Sequence, residues 1–273
     1  MESLPYHGST SDFFRFDTGR IIKLPMKVWE GNPNHQELEE EMERAISFER
    51  KILEKLGSHS RIVPYLGAYD KGILLREASH GNVQTYLNSN LAVIDNSLRW
   101  KWSLQAVEAV VYIHSAGVIH SDLRPENFLV HATTELSLDL WLCDFGGARC
   151  DKLGLNVHHL PDDPFFDPRL PWVSTPAVDI FSLGSIIYTI LTGHWPYREG
   201  LPPVTMEEKC SYESNVNKMF EAGVFPDVSR LRGGRVIKGC WDHQYQTAEE
   251  VLLAIKSEMA VLNCKSARRA EML

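Results

Sequence analysis

Between Gly117 and Val130 the chain reads GVIHSDLRPENFLV, which sets a carboxylate (Asp122), a guanidinium (Arg124) and a carboxamide (Asn127) close together. Apolar residues on either side, Val118-Ile119 and Phe128-Leu129-Val130, read as short strands, so the polar groups stand on a loop carried by a rigid scaffold. The three residue types form a chemical set. Asp122 can accept a proton from an incoming hydroxyl, Arg124 can hold phosphate charge, and Asn127 can offer a carbonyl oxygen to a hard cation such as Mg²⁺. A second carboxylate, Asp144, follows Leu138–Cys143, which alternates as a strand. Gly146 and Gly147 behind it permit the backbone angles of a tight turn.

The loop resembles the catalytic loop of eukaryotic-type protein kinases, H-x-D-L-[KR]-P-x-N, and Asp144-Phe145-Gly146 resembles the D-F-G motif that follows it. Lys23, in the apolar run Ile21–Leu24, resembles the lysine of V-A-I-K. Glu49 to Val63 (ERKILEKLGSHSRIV) resembles the long N-lobe helix of that family and the strand after it. Asp179 to Gly184 (DIFSLG) resembles D-V-W-S-x-G, and Thr192 to Tyr197 resembles T-G-x-x-P-F. The front of the chain, DIFSLGS and the QYQTAEE end are similar to short stand-alone kinase-like proteins of filamentous fungi.

The resemblance implies an α+β, two-lobed kinase-like fold with a small β-rich N-lobe carrying one long helix, and a larger helical C-lobe. Its N-lobe would run to about residue 75, the hinge over 76–80, the C-lobe to 264, and a tail over 265–273. It also implies ATP and Mg²⁺ as cofactors and a protein substrate. Lys23, held by Glu49, would orient the phosphates. Asp144 and Asn127 would hold Mg²⁺. Asp122 would take the acceptor proton and Arg124 would offset charge on the moving phosphoryl group. Gly8 and Ser9 would cover the phosphates, and Leu75, Glu77 and Ala78 would border the adenine. Arg124-Pro125-Glu126 is similar to Ser/Thr rather than tyrosine kinases.

The elements needed to position these groups are legible as patterns. Asp12–Phe16 and Arg20–Leu24 read as strands joined by the hairpin signal Asp17-Thr18-Gly19. Glu37–Leu56 lacks Gly and Pro and repeats apolar residues at helical spacing, with Glu49 on the apolar stripe. An inward carboxylate is costly unless it meets a cation, and Lys23 is the natural partner, although a lysine in a strand can also snorkel at an edge. Ile73–Leu75 is a short buried strand. Helices are expected near Val83–Leu87, over Leu98–His114 beneath the loop, and over Ile180–Leu191. Asp179 at the head of the last of these can brace the loop or cap the helix. Five prolines between Arg149 and Pro176 forbid a long helix there, and His158 and His159 read as loop surface. Short helices are expected around Cys240-Trp241 and over Thr247–Met259.

Composition sets the bounds. The chain has 273 residues, 44% hydrophobic and 23% charged, with a formal net charge of -8, which argues against nonspecific nucleic-acid binding. No apolar run suits a membrane span and no secretory signal opens the chain, so neither nucleic acid nor membrane is expected as a partner, and a monomer is. Five cysteines without a C-x-x-C pair fit a reduced cytoplasmic or nuclear setting.

Three departures from the family pattern stand out. One glycine, Gly8, remains where G-x-G-x-x-G-x-V is usual, and the first strand looks stunted. Ser121 stands where Arg usually precedes the catalytic Asp, which implies activity independent of phosphorylation in the activation segment. The A-P-E motif and its partner Arg after C-W are both absent, so a buried ion pair is expected to be missing as a whole. Two rival readings follow: a pseudokinase that binds nucleotide or serves as a scaffold, and a small-molecule phosphotransferase of the aminoglycoside or choline type.

Overall fold

The computed structural model describes residues 2–8, 10–156 and 159–270. Strands β1 (Glu2–His7), β2 (Ser11–Asp17), β3 (Arg20–Pro25), β4 (Tyr65–Tyr69) and β5 (Gly72–Arg76) form one antiparallel sheet in the order β1-β2-β3-β5-β4. Strand β1 is six residues long and pairs with β2 at both ends, Glu2 opposite Arg15 and His7 opposite Asp12, with a register shift between Ser3 and His7, so the first strand is present but irregular rather than stunted. The β2–β3 hairpin turns at Gly19, whose φ of +78° suits glycine, and its register sets Phe13 opposite Lys23.

Helix α1 (His35–Leu56) packs against β3, with Ile46, Ile52, Leu53 and Leu56 buried on its inner face. The chain leaves it at Gly57, where φ is +64° and the backbone N–H bonds back to Leu53 O. Residues just beyond join the two lobes. Val63 N–H donates to Leu142 O at 2.9 Å and Leu142 N–H donates to Arg61 O at 2.8 Å. His59 stacks on Tyr112 with ring centroids 3.7 Å apart.

The C-lobe holds α2 (Val83–Asn90), α3 (Asn96–Ser115), the hairpin β6 (Phe128–Thr134) and β7 (Ser137–Leu142), α4 (Pro176–Thr192), α5 (Met206–Glu221), α6 (Gly234–Trp241) and α7 (Ala248–Ala270). Asp95 caps α3 through a bond from Leu98 N–H. Helix α3 buries residues all round rather than along one stripe, because α4, α7 and β7 pack on it from different sides. Helix α4 is buried almost end to end, and its serines are paired: Ser182 donates to Phe165 O at 2.6 Å and Ser185 to Pro164 O at 2.7 Å. Helix α7 continues to Ala270 through part of the expected tail; residues 271–273 lie outside the described residues. Among the described residues, no helix is long and apolar enough to cross a membrane.

The expectation of a missing buried ion pair is corrected. Asp167, fully buried, lies 2.7 Å from Arg169 Nη2 and 2.6 Å from His243 Nε2. The carboxylate of FFDPRL and the histidine just after Cys240-Trp241 restore, with other residue types, a tie between the segment before α4 and the chain after α6. Burial alone would raise the Asp167 pKa, but its bonds to His243 and Arg169 hold it below the ordinary carboxylate value. Asp167→Ala leaves a cation and an imidazole without their anion. It is expected to cost about 3 kcal/mol in urea denaturation, whereas an unchanged midpoint would mean the tie is inert.

Candidate active site

Lys23 points inward from β3 and is 2% exposed. Its Nζ lies 2.7 Å from Glu49 Oε2 on α1 and 2.7 Å from Asp144 Oδ1 beyond β7. The inward reading of Glu49 is therefore the one the fold adopts, and no edge snorkelling occurs at Lys23. Burial by itself would push the ammonium pKa down, but the carboxylates of Asp144 and Glu49 hold it above the ordinary lysine value. Burial raises Glu49, whereas Asp144, also penalised by burial, is brought below the ordinary value by Lys23.

The turn after β7 aims Asp144 at this cluster. Asp144 has φ +64° and Phe145 is fully buried, its ring 5.0 Å from that of His120. Phe145 N–H reaches Glu49 Oε1 at 3.4 Å, so the buried phenylalanine and the ion cluster share one anchor. His120 Nε2 lies 3.0 Å from Cys143 O, which ties the catalytic loop to the end of β7.

The loop itself is braced from α4. Asp179, fully buried, accepts His120 N–H at 2.8 Å and Ser121 N–H at 2.9 Å, and lies 2.8 Å from His114 Nε2. Helix α4 begins at Pro176 after Thr175, so bracing rather than capping is what Asp179 does. The brace matters because Ser121 has φ +65°, a left-handed conformation that a non-glycine residue holds only under constraint. Asn127, 4% exposed, donates from Nδ2 to Asp122 O at 2.7 Å and to Asp122 Oδ2 at 3.2 Å.

These groups open onto a cleft of about 950 Å³ whose lining includes Lys23, Glu49, Arg124, Asn127 and Asp144. Ile21, Val63, Leu75, Ala78 and Leu129 give it an apolar end suited to a flat aromatic base. Glu77 lines the cleft, but its N–H donates to Gly19 O at 2.9 Å and its carboxylate meets Arg15 at 2.9 Å. Gly8 also lines the cleft; its N–H donates to Ser11 O at 2.8 Å, and Ser9 lies outside the described residues.

Asp122 sits at the rim, its side chain 15% exposed, with Arg124 Nε 3.9 Å from Oδ2. Three neighbours were not legible in the sequence. His159, read as loop surface, faces Asp122 Oδ1 at 3.7 Å; its neighbour His158 lies outside the described residues. Asp162 pairs with Arg124 at 3.6 Å. Glu126 lines the cleft with a buried Oε2 that has no hydrogen-bond partner, and burial raises its pKa. Only its place between Pro125 and Asn127, on the loop that carries the other groups, hinted at it.

Residues 26–231 match the family described as protein kinase domain, and the chain belongs to that family. The match starts after Lys23, so the placement of β1 to β3 over the cleft is a contribution of the structure. Among similar proteins, "Ribosomal protein S6 kinase alpha-6" of Mus musculus is 29% identical over 223 residues, covering 76% of this chain and 28% of the relative. "Serine/threonine-protein kinase RAD53" of Saccharomyces cerevisiae is 29% identical over 176 residues, covering 56% of this chain and 20% of the relative. The chain thus spans less than a third of the length of these curated relatives. A solved structure, "Crystal structure of Rad53 kinase domain and SCD2", shares the fold with TM-score 0.61 at 19% identity, covering 92% of this chain and 85% of that one.

The family generally uses ATP and Mg²⁺, and the residues present fit both. Asp144 and Asn127 supply a carboxylate and a carbonyl oxygen at one cleft, a hard donor set. Among the described residues no group of three or more His, Cys, Asp or Glu could hold a metal ion.

Proposed function

We propose that this chain is an ATP-dependent protein kinase that transfers the γ-phosphoryl group to serine or threonine hydroxyls of protein substrates. The observation that carries this reading is the Lys23 ammonium clamped between Glu49 and Asp144, 2.7 Å from each, at the back of a cleft that also holds Asn127. The base lies in the apolar end among Ile21, Leu75 and Leu129, while Leu75, Glu77 and Ala78 border it along the hinge. Lys23, kept charged by its partners, faces the phosphates. Asp144 and Asn127 would hold Mg²⁺, which would supply charge neutralisation at the phosphate oxygens.

Asp122 orients the acceptor hydroxyl and takes its proton. The hydroxyl oxygen bonds to the γ-phosphorus as the bond to the bridging oxygen of ADP breaks, and Arg124 offsets the charge on the moving group. The acceptor class rests on Arg124-Pro125-Glu126 and on the Ser/Thr kinase named among the relatives. Free thiols at Cys143, Cys150, Cys210 and Cys240 suit a reducing setting, cytoplasmic or nuclear, and the enzyme acts as a monomer.

One observation favours a second reading, a nucleotide-binding module without turnover. The Gly8 N–H is already bonded to Ser11 O, so that amide is not free to meet a phosphate. Radiolabelled Mg-ATP with a generic acceptor protein decides between them. Label on acceptor serine or threonine is expected; ATP-dependent thermal stabilisation with no label would leave only the binding module.

A further inference from the structure

The segment between Gly147 and α4 lays a titratable imidazole and a carboxylate across the acceptor side of the catalytic loop. His159 Nε2 is 3.7 Å from Asp122 Oδ1, and Asp162 Oδ2 is 3.6 Å from Arg124 Nη1. Arg124 Nε is itself 3.9 Å from Asp122 Oδ2, so His159, Asp122, Arg124 and Asp162 form one row in which acidic and basic groups alternate. The histidine is pinned there. Its backbone carbonyl accepts Ser174 Oγ–H at 3.1 Å, with Ser174 2% exposed. Its ring packs on Gly147, where an added Cβ would stand 3.0 to 3.1 Å from His159 Cδ2, Cβ and Cγ.

We propose that His159 and Asp162 form a built-in occupant of the acceptor site. The His159 imidazole stands at the Asp122 oxygen that must receive the acceptor hydroxyl, and Asp162 meets the guanidinium that must face the phosphoryl group. The inference rests on the phosphoryl-transfer reading above. It also gives a physical account of regulation in a loop where Ser121 replaces the usual arginine: the activation segment reaches the catalytic loop through His159 and Asp162 instead.

The contact is titratable. The His159 side chain is 50% exposed, so its ring exchanges protons with solvent. Asp122 faces it from the catalytic loop and Asp162 from its own segment, both favouring the cation, while Arg124 opposes it. The Asp122 carboxylate beside it raises the His159 pKa above the ordinary histidine value against the effect of burial. A group whose pKa is raised by a contact supports that contact fully at low pH and releases it as pH rises through the raised value. The acceptor site therefore opens as pH increases.

The test measures kcat/KM for an acceptor protein with the full chain from about pH 6 to about pH 8.5. His159→Gln is expected to exceed wild type about two- to fivefold at the acid end and to converge with it at the basic end, the modest factor reflecting a histidine that is half-exposed to solvent. The difference should lie in KM for the acceptor, with KM for ATP unchanged. Parallel profiles for the two proteins would overturn the inference. A second arm does not need turnover: the imidazole of His159 is titrated by NMR in wild type and in Asp122→Asn. Its pKa is expected to fall in the variant, and an unmoved titration also overturns the contact. A shifted His159 with no turnover in wild type would support the contact and remove the phosphoryl-transfer reading alone.

Discussion

Asp122→Asn is expected to lower Mg-ATP turnover on an acceptor protein by about 10²- to 10⁴-fold, the usual worth of a positioned general base. The substitution keeps size and shape but removes the group that can take the hydroxyl proton. The loop should survive it. Asn127 Nδ2 donates at 2.7 Å to the backbone carbonyl of residue 122, which the change does not touch, and Asp179 holds the two preceding amides. ATP affinity should stay near wild type because Asp122 is not among the residues lining the nucleotide cleft. The measurement is initial rate with radiolabelled ATP, together with a thermal scan with and without nucleotide. Equal rates for the two proteins would defeat the catalytic role; a collapsed melting temperature would show that the loop depends on the carboxylate.

Lys23→Met should have the second large effect, and on two observables. Two carboxylates, Glu49 and Asp144, would lose the cation that lies 2.7 Å from each of them. Leaving buried charge unpaired costs about 3–5 kcal/mol, here toward the lower end because the Asp144 side chain is 35% exposed. The sign of the pH dependence is a sharper check than the size. Without Lys23, burial and mutual repulsion hold the Glu49 pKa above its unfolded value, so the folded state binds the extra proton. Stability of the variant should recover as pH falls toward the carboxylate range and decline as pH rises. A deficit that stays constant between about pH 5 and about pH 8 would contradict it. Adding Glu49→Leu to Lys23→Met should regain part of the lost stability, since removing both charges costs less than stranding one. Neither variant is expected to turn over ATP, because the ammonium proposed to face the phosphates is gone.

The strengths of the sequence reading lay in local patterns. The hairpin at Asp17-Thr18-Gly19, the long helix ending at Leu56, the strand before Asp144 and the apolar helix after Asp179 were all legible, since each is set by short-range periodicity or by a turn residue. Glu49 was readable as inward because an acidic residue on an apolar stripe demands a cation, and Lys23 was the one offered by a neighbouring strand. The β4–β5 hairpin went unread, although Asp70-Lys71-Gly72 carries a turn signal and Asp70 takes a φ of +47°.

What went wrong was the accounting of non-local pairs. The missing ion pair was inferred from absent motif letters, yet Asp167, Arg169 and His243 rebuild it. A carboxylate and an imidazole more than seventy positions apart give no periodic sign that they will meet. His159 was read as surface for the same reason. Its meeting with Asp122 depends on how the segment after Gly147 folds back over the loop.

The sequence alone therefore determined the local elements, the chemical types gathered near residues 120 to 127, and the demand that Glu49 find a cation. Those follow from spacing along one chain and from the cost of burying charge. Tertiary structure alone decided that Asp144 shares the Lys23 ammonium, that Asp179 braces the loop instead of capping its helix, and that the acceptor side of Asp122 faces a histidine. Each of those depends on the direction in which distant backbone segments deliver their side chains, and that direction is set only when the lobes pack together.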